Sequence, residues 1–499
     1  MRVAYAENHS RKLAHMDATT HGPLAVDVLT RDDVRRALQE HDFAAAFTLI
    51  KKWGGLSQNR IASACQLTPG RVSVIIQGQH QITSIEVVRR IADGLRIPGA
   101  LLGLAPRPWE ITPPDPRPAD APGERQPAED DVPWRPDATV ALAGSLTRSD
   151  LVMDRRGASR ALAAAAVTGT ALLDPLEAWL RPVAASPHAR RVGRLGARDV
   201  EQLEQTAQAF RRWDHQHGGG LRRKAVLGQL DEVAAALNEH QTDAVAGRLY
   251  RVMAHLSGIA ATMAWDTGYQ RRAQDYYRLA LRSAHAAEDR IFGANVLAGM
   301  ARQMLYRGQP QDALELVRLA QEGSRRRAGP RVRAMLHTRE AWALAAMGRT
   351  AAFCRATEQA REALAETADH DGEPYWIAYF DEAELAGVTG GRLLELARRD
   401  RDHAEGAAAH IRRALDRRGP EAARSHALDR IGLAECHFLA GDITVAVQET
   451  HRAAEAVTRT ASARVREQLG ELYSYTVGHS KAPAVRDVRD RLRDLLANR

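Results

Sequence analysis

Residues 56–78 read LSQNRIASACQLTPGRVSVIIQG, and this stretch decides how the first part of the 499-residue chain folds. Ser57 is placed to cap a helix from Gln58 to about Cys65, with Ile61 and Cys65, four apart, as its apolar stripe. Ala62 is small where a second helix would cross closely. Thr68-Pro69 opens that second helix, with Thr as cap and Pro at the first helical position, where no amide donor is needed. Val72, Ile75 and Ile76 point inward on a helical period, and Gly78 stops the helix. Working outward, Thr83 to Glu86 spell a capping box for a helix from Ile85 to Leu95, which Pro98 ends. Upstream, residues 42–53 carry Phe43, Phe47 and Ile50 on one face. Lys51 and Lys52 lie at the C-terminal end, where cations suit the helix dipole. Residues 30–40 read as a short helix with a Thr30-x-x-Asp33 cap pattern.

Two short helices joined by a tight turn are a helix-turn-helix, the unit that lays its second helix in a DNA major groove. Roughly residues 42–104 resemble the lambda-repressor-like (Cro/C1, or XRE-type) DNA-binding domain, on Gln58, Ala62, Leu67, Val72, Ser73, Ile75 and Gly78. The resemblance implies that Gln58 bonds a phosphate. It also implies that the start of the second helix, at Thr68, Pro69, Gly70, Arg71, Ser73, Val74 and Gln77, meets the bases. Pro69, Gly70 and Val74 offer little hydrogen-bonding capacity, so Arg71, Ser73 and Gln77 are the polar readers. A bidentate Arg–guanine pair is worth about 1–3 kcal/mol of discrimination. Gln66 stands where the turn usually has Gly, and Ile76 where Glu is common. Seven basic residues (Lys51, Lys52, Arg60, Arg71, Arg89, Arg90 and Arg96) against three acids give residues 42–104 a net +4, the sign phosphate contact needs. The alternative is a helical domain that only docks to partners.

A hydrophobic content of 44% supports real cores, and the chain has room for two or three domains. Only 5% is aromatic, Ala and Arg abound, and runs of strand formers are missing, so an almost wholly helical protein is expected. Cys65, Cys354 and Cys436 are odd in number and far apart, which fits a reducing cytosol, with each a small buried residue. No secretory signal is read in residues 1–30. The apolar run at 155–173 is too short and Ala-rich to span a bilayer, and reads as a helix capping the next domain. A cytoplasmic, nucleoid-associated protein without a membrane partner is expected.

Residues 1–29 read as a disordered N-terminus and 30–105 as the DNA-binding domain. Residues 106–137 form a linker holding ten of the 21 prolines, with eight acids against four arginines. Trp109 and Trp134 flank it, either exposed or docked onto the neighbouring domains. Residues 138–194 form a connecting helical segment, and 195–499 a repeat domain. There Gly268, Gly308 and Gly348 recur every forty residues, as do Ala280, Ala320 and Ala360. Ala273 and Ala313 keep the interval until Phe353 breaks it. Gly441, Ala446 and Ala453 repeat the scheme, and residues 375–399 read as a weaker copy around Gly390. The pattern is similar to tetratricopeptide repeats, which implies stacked helix hairpins around a concave groove. The forty-residue interval calls for longer helices or connections than the usual 34. A chance alanine-rich bundle is the alternative. In the repeat register Trp265, Asn295, Arg302 and Trp342 face the groove as candidate ligand contacts. A core tryptophan or a solvated polar side chain is the plainer reading of each.

No phosphate-binding loop, His-Glu-x-x-His, Cys-x-x-Cys or hydrolase elbow occurs, so no cofactor, metal or catalytic residue is expected. Gly218-Gly219-Gly220 reads as a flexible turn, and Asp214-His215-Gln216-His217 as a polar cluster at a helix end. The expected fold class is all-α: a lambda-repressor-like bundle followed by an α-solenoid of tetratricopeptide-like hairpins. In this order the chain resembles actinobacterial cytosolic regulators, and peptide-pheromone-responsive regulators of Gram-positive bacteria share the architecture. That resemblance implies a sequence-specific regulator binding double-stranded DNA, as a homodimer, with a peptide, small molecule or protein in the groove. A non-enzymatic adaptor whose array recruits a partner protein is the alternative.

Overall fold

The computed structural model describes residues 24–110, 132–183, 195–217 and 223–497. Positions 25, 83, 106, 108, 154, 240, 370–371, 420–421, 461 and 480–481 are excepted. Among the described residues the protein is all-α, with no strand: an N-terminal bundle and a C-terminal repeat-like helical array. Residues 1–23, the linker centre at 111–131 and Gly218-Gly219-Gly220, for which the sequence suggests a disordered N-terminus, an extended spacer and a flexible turn, lie outside the described residues.

The bundle comprises α1 (Val26–Thr30), α2 (Asp32–Gln39), α3 (Phe43–Gly54), α4 (Gln58–Ala64), α5 (Pro69–Ile76), α6 (Ile85–Leu95) and α7 (Gly99–Leu102). Phe47, Ile50, Ile61, Val72, Ile75 and Ile91 are fully buried at its centre. The bundle starts earlier than residue 30, because Leu24 and Val28 are buried in the same core. Thr30 therefore ends α1, donating its hydroxyl to the Asp27 carbonyl (2.9 Å), and does not cap α2, whose cap position holds Arg31. The helix from Ile85 has Ser84 at its cap position, without a side-chain cap bond, and Thr83, which opens the expected capping box, lies outside the described residues.

The array begins with α8 (Pro136–Leu151), which packs on α12 (Arg223–Asn238) and α14 (Gln270–Ala286). Its buried Asp150 accepts from Tyr276 Oη (2.8 Å) and pairs with Arg272 Nε (3.0 Å) and with Arg223. The 155–173 run is not one helix. It is α9 (Arg155–Ala163) and α10 (Thr170–Leu173), parted by residues 164–169 and by Gly169 at φ +64°. A 3-10 segment, Asp174–Leu180, follows and sinks Trp179 into the array. Gly293 and Gly323 line that slot, and a Cβ on either would stand 2.6 Å or 2.2 Å from the indole.

Next come α11 (Ala197–His217) and the hairpins α13 (Asp243–Asp266)/α14, α15 (Arg290–Tyr306)/α16 (Pro310–Ser324) and α17 (Pro330–Ala346)/α18 (Thr350–Ala365). After them come α19 (Glu382–Ala397)/α20 (Ala404–Arg417), α21 (Ala423–Ala440)/α22 (Ile443–Val457) and α23 (Ala463–Val477)/α24 (Pro483–Ala497). The first helix of each hairpin also touches the first helix of the next, the signature of a stacked repeat. Gly268, Gly308, Gly348 and Gly441 sit between paired helices at φ between +69° and +89°, a conformation glycine adopts without steric cost. Ala273, Ala280, Ala313, Ala320 and Ala360 are fully buried at the crossings. Helices of 15–24 residues account for the long interval.

Gly390 does not mark a turn. It lies inside α19, where a Cβ would meet Ile411 Cγ1 at 2.6 Å and the Ala407 carbonyl oxygen at 3.0 Å. The glycine serves close helix packing, which a repeat register cannot tell from a turn. Cys65 and Cys436 are buried, and burial pushes both thiols up to about 12, but Cys354 is exposed. Trp109 and Trp134 both dock. Trp109 donates to Asp93 of α6 (3.0 Å), beside the Arg107–Asp93 pair. Trp134 stands edge-on to His285 of α14, with Arg282 over its face at 5.1 Å.

Candidate nucleic-acid interface

The turn between α4 and α5 is built from local bonds. Ser57 Oγ accepts from the Arg60 amide and Thr68 Oγ1 from the Arg71 amide (both 3.3 Å), with Pro69 opening α5. Gln66 takes φ +52°, the conformation the usual glycine would supply, and Arg90 Nη1 donates to its carbonyl (3.2 Å). Gly78, at φ +72°, closes α5 through bonds from residues 78 and 79 to the Ile75 and Val74 carbonyls. Sequence reading passed over Gly94 of α6. An added Cβ there would lie 1.9 Å from the Ala64 carbonyl oxygen, so α4 and α6 cross backbone to backbone. A glycine in the interior of an amphipathic helix was the available signal, since it costs about 1 kcal/mol against alanine.

With Val72 and Ile75 turned into the core, the opposite face of α5 looks outward. Thr68, Pro69, Gly70, Arg71, Val74 and Gln77 are exposed, Ser73 is half-buried, and Gln58 is half-buried at the start of α4. Arg60 and Arg71 are exposed, and their guanidinium groups have no partner among the described residues. Residues 30–104 match the family model for a helix-turn-helix domain. No curated protein and no solved structure matches the chain. A helix-turn-helix domain in this place suggests a DNA-binding regulator. Among the described residues no helix is long and apolar enough to cross a membrane, and no cluster of potential metal ligands occurs.

The helix-turn-helix domain is docked on the array by its other side. Arg89, one of the seven cations counted toward phosphate contact, is turned away from α5's open face. Its Nε donates to Glu315 of α16 (2.9 Å), and it also pairs with Glu177. The second Glu315 oxygen accepts from the Ala105 amide (2.6 Å). His41 Nε2–H donates to the Leu102 carbonyl (2.7 Å), which leaves Nδ1 to accept from Arg318 Nη2 (2.7 Å). Burial, with Arg318 and Arg349 alongside, holds this imidazole well below its ordinary pKa, so it stays neutral and can accept. Arg349 Nη2 bonds the Ala100 carbonyl (2.9 Å), and Arg355 Nη2 bonds that of Glu40 (2.6 Å). The contacts to Glu315, Arg318, Arg349 and Arg355 span more than two hundred positions, and no local sequence signal marks them.

Of the four candidate groove residues, three come together. Trp265 and Trp342 each pack edge-on against Tyr306 (centroids 5.4 and 5.2 Å apart), and Arg302 lies 5.3 Å over Trp265. Asn295 takes no part in these ring contacts. The aromatic row is interior and does not line an open groove. Arg464 of α23 covers Trp265 at 4.7 Å and Arg392 of α19 covers Trp342 at 3.6 Å, leaving the two indoles 5% and 8% exposed. The cause is the curl of the array, which brings its C-terminal hairpins back to its first helices. Arg464 Nε pairs with Asp266 of α13 (3.0 Å), and Arg424 of α21 reaches Asp266 (3.7 Å) and the Asp214 carbonyl of α11 (3.1 Å).

That closure carries a titratable group. Burial pushes the Asp214 carboxyl up to about 6, the Asp266 charge adds to the rise, and Arg424, Arg211 and Arg464 oppose it. A carboxyl raised above its unfolded value contributes stability that is complete below pH ~4 and is lost as pH rises through about 6. Asp214→Asn is therefore expected to stabilise the array at pH 8 by about 2–3 kcal/mol. The gain should shrink toward pH 5, as read from urea unfolding at the two pH values. An equal gain at both would refute the assignment.

Proposed function

We propose that the chain is a sequence-specific transcription regulator of the XRE type that reads double-stranded DNA with α5. The observation that carries this reading is the outward face of α5, exposed from Thr68 to Gln77 and flanked by Arg60 and Arg71, while the domain's opposite side is pinned to the array. Arg71, Ser73 and Gln77 are the polar readers, and Gln58 is the phosphate contact at the start of α4. The array, of tetratricopeptide-like hairpins, serves to dimerise the chain, to sense a ligand, or both, and the protein works in the cytoplasm at the nucleoid. A homodimer would place two α5 helices on half-sites about one helical turn apart.

The direct test is an electrophoretic shift with the gene's own upstream region in the presence of non-specific competitor. Arg71→Ala is expected to weaken the specific complex roughly 5- to 150-fold, the range of one good base pair contact. Arg71→Ala with Gln77→Ala should reduce the protein to its non-specific affinity. Gln58→Ala should weaken all sequences alike and leave the ranking of sites unchanged. Undiminished specific binding by the double variant would remove α5 from the reading role.

A further inference from the structure

Between the helix-turn-helix domain and the array lies a cavity of about 580 Å³, within the range that accommodates a small organic molecule. Its domain-side wall includes Glu40, His41 and Asp42, just before α3, and Gln81, in the stretch that follows the end of α5. Its array-side wall includes Arg318, Gln321, His337 and Glu340. Arg318 is 7% exposed. Its Nη2 is spent on His41 and its Nε stands 3.7 Å from Glu340, but its buried Nη1 has no hydrogen-bond partner.

The neighbouring groups leave Arg318 incompletely satisfied. Arg318 and Arg349 are both buried against His41, whose ring is neutral, and Arg349 makes no ion pair among the described residues. Of the carboxylates that line the cavity, Glu340 is also claimed by Gln321 Nε2 (2.9 Å) and His337 (3.6 Å), Glu40 faces Arg355 (3.7 Å), Glu322 faces Arg325 (3.6 Å), and Asp42 accepts from the Ala45 amide (3.0 Å) at the start of α3. Glu315 is held by Arg89 and the Ala105 amide. A buried unpaired donor in a polar cavity calls for a partner. A carboxylate or phosphate oxygen supplies that partner through a charge-assisted bond.

We propose that this cavity is a ligand site for a small organic anion, a carboxylate or a phosphate, seated on Arg318 Nη1. It lies away from the aromatic row of Trp265 and Trp342, so the sensing surface is the seam between the two parts of the chain. A ligand there touches residues 80–82 directly after α5 and α16–α18 on the other side. It binds differently to the docked and undocked arrangements and so shifts their balance. The binding itself is independent of the DNA-binding reading, and only its effect on DNA rests on that reading.

The test uses the full chain with two probes, inorganic phosphate and glutarate, each at ~10 mM against sodium chloride of equal ionic strength. At least one anion is expected to raise the melting temperature by roughly 2 °C or more. Arg318→Met should lose that shift. Ala328→Trp, which fills the cavity from its array wall and leaves Arg318 in place, should lose it as well. A response to phosphate alone, or to glutarate alone, identifies the anion. No shift with either probe in the unaltered chain, or a shift that survives in either variant, overturns the proposal. Repeating the DNA titration with the active anion separates the two readings. An anion shift without any DNA binding leaves the cavity site standing and fails the regulator. A several-fold change in DNA affinity that Ala328→Trp abolishes supports both.

Discussion

Gly94→Ala is expected to cost the helix-turn-helix domain about 3 kcal/mol and to abolish DNA binding at temperatures where the array is still folded. Two effects oppose each other. Alanine is the better helix former by about 1 kcal/mol, which alone would stabilise α6. Against this, the new methyl would stand 1.9 Å from the Ala64 carbonyl oxygen, 2.5 Å from its carbon and 3.1 Å from the Cys65 nitrogen. All three are backbone atoms, so no rotamer change relieves the clash and the two helices must separate. Ile61, Val72, Ile75 and Ile91, all fully buried, then lose contact together. For a domain of this size the loss corresponds to a fall of roughly 10–20 °C in its melting temperature. Gly70→Ala is the control, because nothing lies within 4 Å of its Cβ position on the open side of α5. It should leave the melting temperature unchanged or slightly raised. A Gly94→Ala protein that melts like the parent would show that α4 and α6 do not cross at this distance.

Trp179→Ala is expected to destabilise the array by about 3–5 kcal/mol, the range for removing a fully buried aromatic. The slot cannot close over the vacancy, because its walls are the backbones of α15 and α16 at Gly293 and Gly323. The loss should also reach the DNA-binding domain. Two residues before the tryptophan, Glu177 pairs with Arg89 of α6, so releasing this segment removes one of the contacts that hold the domain down. Limited proteolysis reads both effects, through faster cleavage around residues 170–183 and faster release of the N-terminal domain. Unchanged cleavage there would mean the segment is held by its other contacts, such as the bond from the Gly169 amide to Asp312 (2.7 Å).

What could be read in advance was what short stretches encode. Ser57, Thr68-Pro69 and Gly78 announce helix starts and stops within a turn or two, and α4 and α5 lie where these residues place them. The recurrence of Gly268, Gly308 and Gly348 marks three turns, because each repeat solves the same local problem. Gly390 misled, since in sequence a glycine for close packing and a glycine for a turn are the same letter. The charge count of residues 42–104 also overstated the cations facing DNA. Arg89 is bound to Glu315, and Arg90 bonds the Gln66 carbonyl. The curl that covers Trp265 and Trp342 depends on Arg424 and Arg464 meeting Asp266 across 158 and 198 positions. Nothing in the spacing of those residues foretells the encounter.

The two linker tryptophans set the terms on which the DNA-binding head can leave its seat. Trp109 is fastened to the head and Trp134 to the array, so while both stay docked only the length of chain between them limits how far the two parts could separate. Residues 111–131, even if fully stretched, reach at most about 75 Å. A head released from the array therefore stays at an effective concentration of the order of millimolar and recaptures its seat without diffusing away. Any ratio of seated to released heads would then be set by the strength of the seam and be indifferent to how much protein the cell makes.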